Sequence, residues 1–372
     1  MKNLILWELK KIFRNRMYCI LIILVILFPL LYLSVHQWID AHTDMQYENM
    51  RISSAEGIVL QDDLRRELSG TINQNWIKKT EIILNKYNDE KMPQNDIRYQ
   101  TISDAYWDGI HTIQKWDYLK HDTLTPKRAS LYLQNHEPQY GPYEGWKTSI
   151  DACKYSGTFL LLVSIIIFSN FINQEEAAGI MDLLKSSRKG RTGLMTAKLI
   201  ASLMVIIGMF LLMSVVLTSG CFTLLKMDGG DTTGLVLRGM QFYSLSEIYL
   251  QALAIILLGG ISTVLFALFC SAIIAKPMFS LCAGFLYYLL PGMLNIEFMQ
   301  TSWSEFFPSE LLKFYNKGQL LITPWVQISD QILPRVPAVG ILWLLLGVLM
   351  IVGIYWSHCH TVSLSVRIGK RR

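Results

Sequence analysis

The residues of this 372-residue chain best placed to do work are charged ones that flank apolar runs. Glu175 and Glu176 close one such run and Lys198 opens the next. The segment between them, "NQEEAAGIMDLLKSSRKGRTGLMTAKLI", holds a short amphipathic stretch over 177–185 with Ile180, Leu183 and Leu184 on one side. Lys185, Arg188, Lys189 and Arg191 follow as a basic run. A compact helix with a charged edge, held between two apolar segments, can pass force from another protein into them. The same composition also suits an ordinary basic loop beside a membrane. The groups that bond-breaking chemistry needs are missing. No GxxxxGK[ST] occurs, and "SSRKGRTG" lacks both the spacing and the closing Lys-Ser/Thr, so the chain is not expected to hydrolyse ATP itself. Neither GxSxG, HExxH nor CxxC is present. His358-Cys359-His360 resembles a metal clip, but no carboxylate or further ligand lies near it in sequence. Asp62-Asp63 and Asp89-Glu90 read as solvated helix faces, and Glu297, Glu305 and Glu310 have no base beside them. The expectation is no catalytic residue, no metal and no cofactor held by this chain.

The elements that must position these residues follow from composition. The chain is 52% apolar and only 17% charged, with a mean hydropathy of +0.31; a soluble domain is about a quarter charged. A helix needs about 20 mostly apolar residues to cross a bilayer. Six stretches qualify: 17–35, 153–172, three within 199–298 (199–222, 248–275 and 278–296) and 338–357. Gly259-Gly260 suggests that the fourth is tilted or broken, and Pro291-Gly292 interrupts the fifth. The expected fold class is an all-α polytopic membrane protein with six transmembrane helices. No Asp, Glu, Lys or Arg lies centrally in these runs, where an ion-coupled carrier usually keeps one. Energy then has to come from a partner.

Charge sets the orientation. Residues 1–16, the loop 173–198, Lys276 and the tail 358–372 carry 15 basic residues against Glu8, Glu175, Glu176 and Asp182. By the positive-inside rule both termini are expected in the cytoplasm, as an even number of crossings requires. The basic residues flank spans, which points to anionic membrane lipids and not to nucleic acid. Residues 1–16 place Ile5, Leu9, Ile12 and Phe13 on one stripe, as in an interfacial helix anchored by Trp7. No small-residue cleavage site follows the first apolar run, so it reads as an uncleaved span. The segment 36–152 is polar, holds 13 basic and 18 acidic residues, lacks cysteine up to Ala152, and reads as a mainly helical extracellular domain. Its closing "NHEPQYGPYEGWK" puts Tyr140, Tyr143 and Trp146 at the membrane interface, or against a ligand. Residues 299–337 mix aromatic, aliphatic and proline residues, as short helices dipping into the outer leaflet and returning would.

The loop 173–198 resembles the signature region of type-2 permeases of ATP-binding cassette exporters. Glu175 or Glu176, Gly179, Leu183-Leu184, Ser186-Ser187, Arg191 and Lys198 match that pattern in order. "WELKKIFRNR" resembles the family's elbow helix and "FFPSELLKF" its external proline-containing segment. Residue 180 is isoleucine where threonine is common, no proline follows Ser187, and the smallest family members lack the large insert. The resemblance implies a permease subunit in a multi-pass bacterial plasma membrane. It would pair with a second permease chain, identical or related, and dock a cytoplasmic ATP-binding cassette ATPase that holds ATP and Mg. The helix 177–185 would be the coupling helix, with Glu175, Glu176, Gly179, Leu183, Leu184, Arg191 and Lys198 as coupling residues. By the same analogy the second and fifth spans would line the substrate path, with Phe285, Tyr287 and Tyr288 as candidate or merely packed residues. The acidic insert suits a cationic amphipathic peptide, hence resistance to antimicrobial peptides; lipid-like cargo or drugs remain alternatives. A different class, a membrane sensor whose insert binds an external peptide and signals inward, fits the same composition.

Overall fold

The computed structural model describes residues 1–47, 50–121, 127–177, 192–225, 227–238, 241–274, 276–294, 307–312, 315–316, 319–320, 325–328 and 331–369. Most of them are helical. Helix α1 (Lys2–Arg14) meets α2 (Arg16–His42) at Asn15, whose extended backbone breaks the helix and whose side chain accepts the Met17 N–H at 3.0 Å. A hairpin of β1 (Asp44–Tyr47) and β2 (Met50–Ser53) opens the polar insert. Helices α3 (Ser54–Glu67), α4 (Gln74–Asp89), α5 (Ile97–His121) and α6 (Lys127–Asn135) build its body. Ser53 and Asn73 cap α3 and α4 by accepting the N–H groups of Glu56 and Trp76. Strand β3 (Gly70–Thr71) pairs antiparallel with β4 (Gln139–Tyr140), which delivers the chain to α7 (Glu144–Phe168).

Next come the short α8 (Asn173–Ala177), then α9 (Thr192–Leu224), α10 (Leu245–Ile273), α11 (Pro277–Leu294), the one-turn α12 (Pro308–Leu311) and α13 (Arg335–Gly369). Five helices among the described residues are long and apolar enough to cross a membrane: α2, α7 with its continuation to Glu175, α9, α10, and α13 over Arg335–Ser357. The expected fifth crossing corresponds to α11, only 18 residues long, of which Pro277–Leu290 forms the shorter apolar helix. α10 runs without interruption through Gly259-Gly260. Gly259 lies against Trp343 of α13 and Gly260 against Ile206 of α9, so the small residues serve close packing and do not break the helix.

The helices are not equivalent. In their apolar windows α7 and α10 are 67% and 61% buried within the fold, while α2 and α13 are each 28% buried. The first two pack most extensively on each other and form the centre. Ile20, Ile23, Leu27 and Leu31 of α2, with Leu344, Leu345, Val348 and Leu349 of α13, are exposed. An apolar belt of this extent needs an apolar solvent.

Beyond α11, the described residues of the stretch expected to hold short helices dipping and returning form one helical turn, α12, and two hairpins. β5 (Tyr315–Asn316) pairs with β6 (Gln319–Leu320), and β7 (Trp325–Ile328) with β8 (Gln331–Pro334).

Candidate functional site

A buried ionic joint forms where the roots of the loop 178–191 meet the N-terminal helix. Glu8 faces inward from the middle of α1, one turn before the buried Ile12. Lys198 faces it from the second turn of α9 and is 1% exposed. Its Nζ lies 3.1 Å from Glu8 Oε2 and 3.0 Å from Glu175 Oε1, and donates at 3.4 Å to the carbonyl of Phe171. The ammonium also sits 4.6 Å from the centre of the Phe171 ring. Lys11 bonds Glu175, lies 3.8 Å from Glu8 and covers Trp7. Two carboxylates and Lys198 are buried together, and the partly exposed Lys11 completes the charge balance from the rim. Burial raises the Glu8 pKa above its ordinary value, against the lowering pull of Lys198 and then Lys11.

The backbone that presents Glu175 is pinned from the other side. Ser271 of α10 accepts the N–H groups of Ile172 and Asn173 at 3.1 and 3.3 Å. Asn173 Nδ2 donates to the carbonyl of Ile274 at 2.7 Å. Ser280 of α11 donates to the carbonyl of Ser169 at 2.6 Å, and Gln174 donates to the Tyr18 hydroxyl of α2 at 2.9 Å. Residues 169–175 therefore bond α1, α2, α9, α10 and α11 at one end of the long helices. A displacement of this segment would reach most of the helix bundle.

Of the residues singled out in the sequence, Glu175 and Lys198 are brought into direct contact. Glu176 belongs to α8, whereas Gly179, Leu183, Leu184 and Arg191 lie outside the described residues, as does most of the expected coupling helix. Tyr287 stacks on Phe266 of α10, with ring centres 4.1 Å apart, and its hydroxyl lies 3.1 Å from Ser262 Oγ. The Tyr288 hydroxyl donates to Thr158 of α7 at 3.2 Å, and Phe285 is half-buried. Glu8 and Lys11 were missed. The available signal was an acid inside an otherwise basic and apolar helix; the apolar stripe includes Phe13, which is exposed, and omits Glu8, which is buried.

A second polar cluster lies at the opposite ends of the long helices, where they meet the insert. Arg65 of α3, 3% exposed, lies 3.3 Å from both Asp62 Oδ1 and Glu144 Oε1 and donates to the Tyr143 hydroxyl at 3.0 Å. Its guanidinium also covers the Tyr143 ring at 4.0 Å. Asp62 is thus an ion-pair partner and not part of a solvated face. Tyr140, Tyr143 and Trp146 are buried, which corrects their expected place in an interfacial belt. Tyr140 packs on Trp76, and Trp146 donates from Nε1 to the Asp228 carbonyl and meets Tyr249 edge-on. Arg238, at a positive φ of 57°, bonds Asp108 at 3.0 Å. Burial raises the pKa values of Asp62 and Asp108, against Arg65 and Arg238 respectively. A cavity of about 1040 Å³ opens beside this cluster.

No group of three or more His, Cys, Asp or Glu side chains among the described residues could hold a metal ion. The ionic joint ties α1, α8 and α9 together through Glu8, Lys11, Glu175 and Lys198. The described residues form a helical fold with five membrane-length apolar helices and a large polar insert. The chain matches no known protein family, no curated protein and no solved structure.

Proposed function

We propose that this chain is the membrane-spanning permease subunit of an ATP-binding cassette exporter. It is a multi-pass protein of a bacterial plasma membrane, with six crossings, both termini in the cytoplasm and the insert outside. A separate cytoplasmic ATPase hydrolyses ATP with Mg, and a second permease chain completes the translocation path. The observation that carries the reading is the joint of Glu8, Glu175 and Lys198. Both roots of the loop 178–191 are fixed to each other and to α1, so a force applied to that loop has a rigid route into α7, α9 and α10. Two states of the bundle biased by nucleotide on the partner would then move cargo. The acidic insert favours a cationic cargo.

The test is purification of the tagged chain from its native membrane in mild detergent, with identification of co-purifying chains and an ATPase assay. A stoichiometric ATP-binding cassette subunit is expected, with turnover uncoupled from substrate by Glu175→Gln or Arg191→Ala. Recovery of the folded chain with no ATPase would sink the reading and favour a sensor.

A further inference from the structure

We infer that the outward face of α1 is a docking surface for anionic phospholipid headgroups, through which membrane charge steadies the buried ionic joint. α1 contains one acid, Glu8, and the fold turns it inward to Lys198, fully buried. Every charged side chain that the helix exposes is therefore a cation. Lys2, Lys10 and Arg14 are exposed on it, with Arg16 just beyond the break at Asn15. The exposed face is itself divided. Leu6 and Phe13, two turns apart, form an apolar flank, and Lys10 and Arg14, one turn apart, form a cationic flank beside it. A helix split in this way lies in the plane of a bilayer surface, with its apolar flank toward the acyl chains and its cations among the headgroups.

Two observations favour a lipid surface as the occupant. The exposed apolar belt of α2 starts at Met17, directly after the break, and continues through Ile20, Ile23 and Leu27. α1 thus sits at the end of the belt, where an apolar layer gives way to headgroups. The sign of the exposed charge then selects among lipids, because an anionic leaflet attracts Lys and Arg beside a span through its surface potential. An acidic protein patch would answer the cations and leave Leu6 and Phe13 in water. Trp7 connects this face to the joint. Its ring is half exposed and carries the Lys11 ammonium 4.0 Å from its centre. Lys11 in turn bonds Glu175 and lies 3.8 Å from Glu8. Anionic headgroups relieve the mutual repulsion of the outward cations and hold α1 down, which keeps Glu8 on Lys198 and Lys11 on Glu175. The surface needs a bilayer and no ATPase, so its failure would leave the permease reading standing, and the reverse also holds.

The experiment follows amide hydrogen exchange of the full chain in phosphatidylcholine vesicles, with and without phosphatidylglycerol. With phosphatidylglycerol, exchange in α1 and at residues 169–175 is expected to slow about tenfold, and added salt to erase the difference. Lys10→Gln combined with Arg14→Gln is expected to remove most of the slowing. Lys78→Gln combined with Lys79→Gln, at exposed positions of α4, is expected to leave it intact. Wild-type melting of each variant in phosphatidylcholine establishes that it is folded. Equal exchange of the wild type in the two lipids, or an undiminished effect in the folded α1 variant, would overturn the proposal. Slowing confined to α1, with residues 169–175 unmoved, would overturn the link to the joint. Equal slowing by free glycerophosphoglycerol added to phosphatidylcholine vesicles would overturn a lipid surface as the occupant.

Discussion

Lys198 illustrates how one buried charge can hold several elements. Its two carboxylates come from α1 and α8, and it is 1% exposed. Removing one partner of a buried pair costs about 3–5 kcal/mol, because the remaining charge keeps its desolvation penalty without compensation. Lys198→Met should therefore lower the detergent melting temperature sharply, and Lys198→Arg should restore part of it. Glu8→Gln should cost less, since burial already favours the neutral form. The pH response follows from the same shift. A carboxyl whose folded pKa is raised binds its proton more tightly in the folded chain, so its contribution to stability falls as pH climbs from about 4.5 through the folded value. The melting difference between wild type and Glu8→Gln should shift over that window, in favour of the wild type toward acid pH. A flat difference would mean that Lys198 and Lys11 balance burial, and a reversed slope that they outweigh it. At the insert, Arg65→Met should cost a similar ~3–5 kcal/mol by stranding the half-buried Asp62 and leaving Glu144 to Lys147 alone.

Between elements, the insert is locked to the α9–α10 connection by backbone as much as by side chains. Gly229 has φ +72°, and an added Cβ would lie 2.3 Å from the Pro142 carbonyl oxygen. Gly229→Ala should destabilise by about 1–3 kcal/mol, a strained φ and a backbone collision acting together. Gly70, also at positive φ, has open space around it, and Gly70→Ala should cost less. Chemical denaturation of the two variants side by side separates the contributions of strain and collision. The α-helices themselves were legible: apolar runs of membrane length and an amphipathic N-terminal helix are local patterns. The β5–β8 hairpins were not, because short strands gain their identity from pairing partners rather than from a run of residues.

At the scale of the molecule, the proposed topology has both termini on one side and the insert on the other. In a cysteine-free background, Asn3→Cys and Lys370→Cys should be shielded from an impermeant maleimide in intact cells, and Asp117→Cys should react. Reaction of only one terminal cysteine would mean an odd number of crossings, and α11 would then be the helix that does not span. α11 is the shortest of the candidates, and its packing against α10 through Tyr287 and Phe266 makes either role physically available.

Chain composition and periodicity alone gave the membrane class, six long apolar runs, five of which are membrane-length helices among the described residues, the polar helical insert and the two roots of the loop 178–191. Each of these depends on residues close together in sequence, where length, hydropathy and charge sign act directly. Tertiary structure decided which charges meet. Glu8 and Lys198 are 190 residues apart, Arg65 and Glu144 belong to different halves of the insert junction, and Asp40 and Asp151 share a cavity only because α2 and α7 run side by side. A buried charge is tolerated only where another answers it, and no local pattern records a partner that distant.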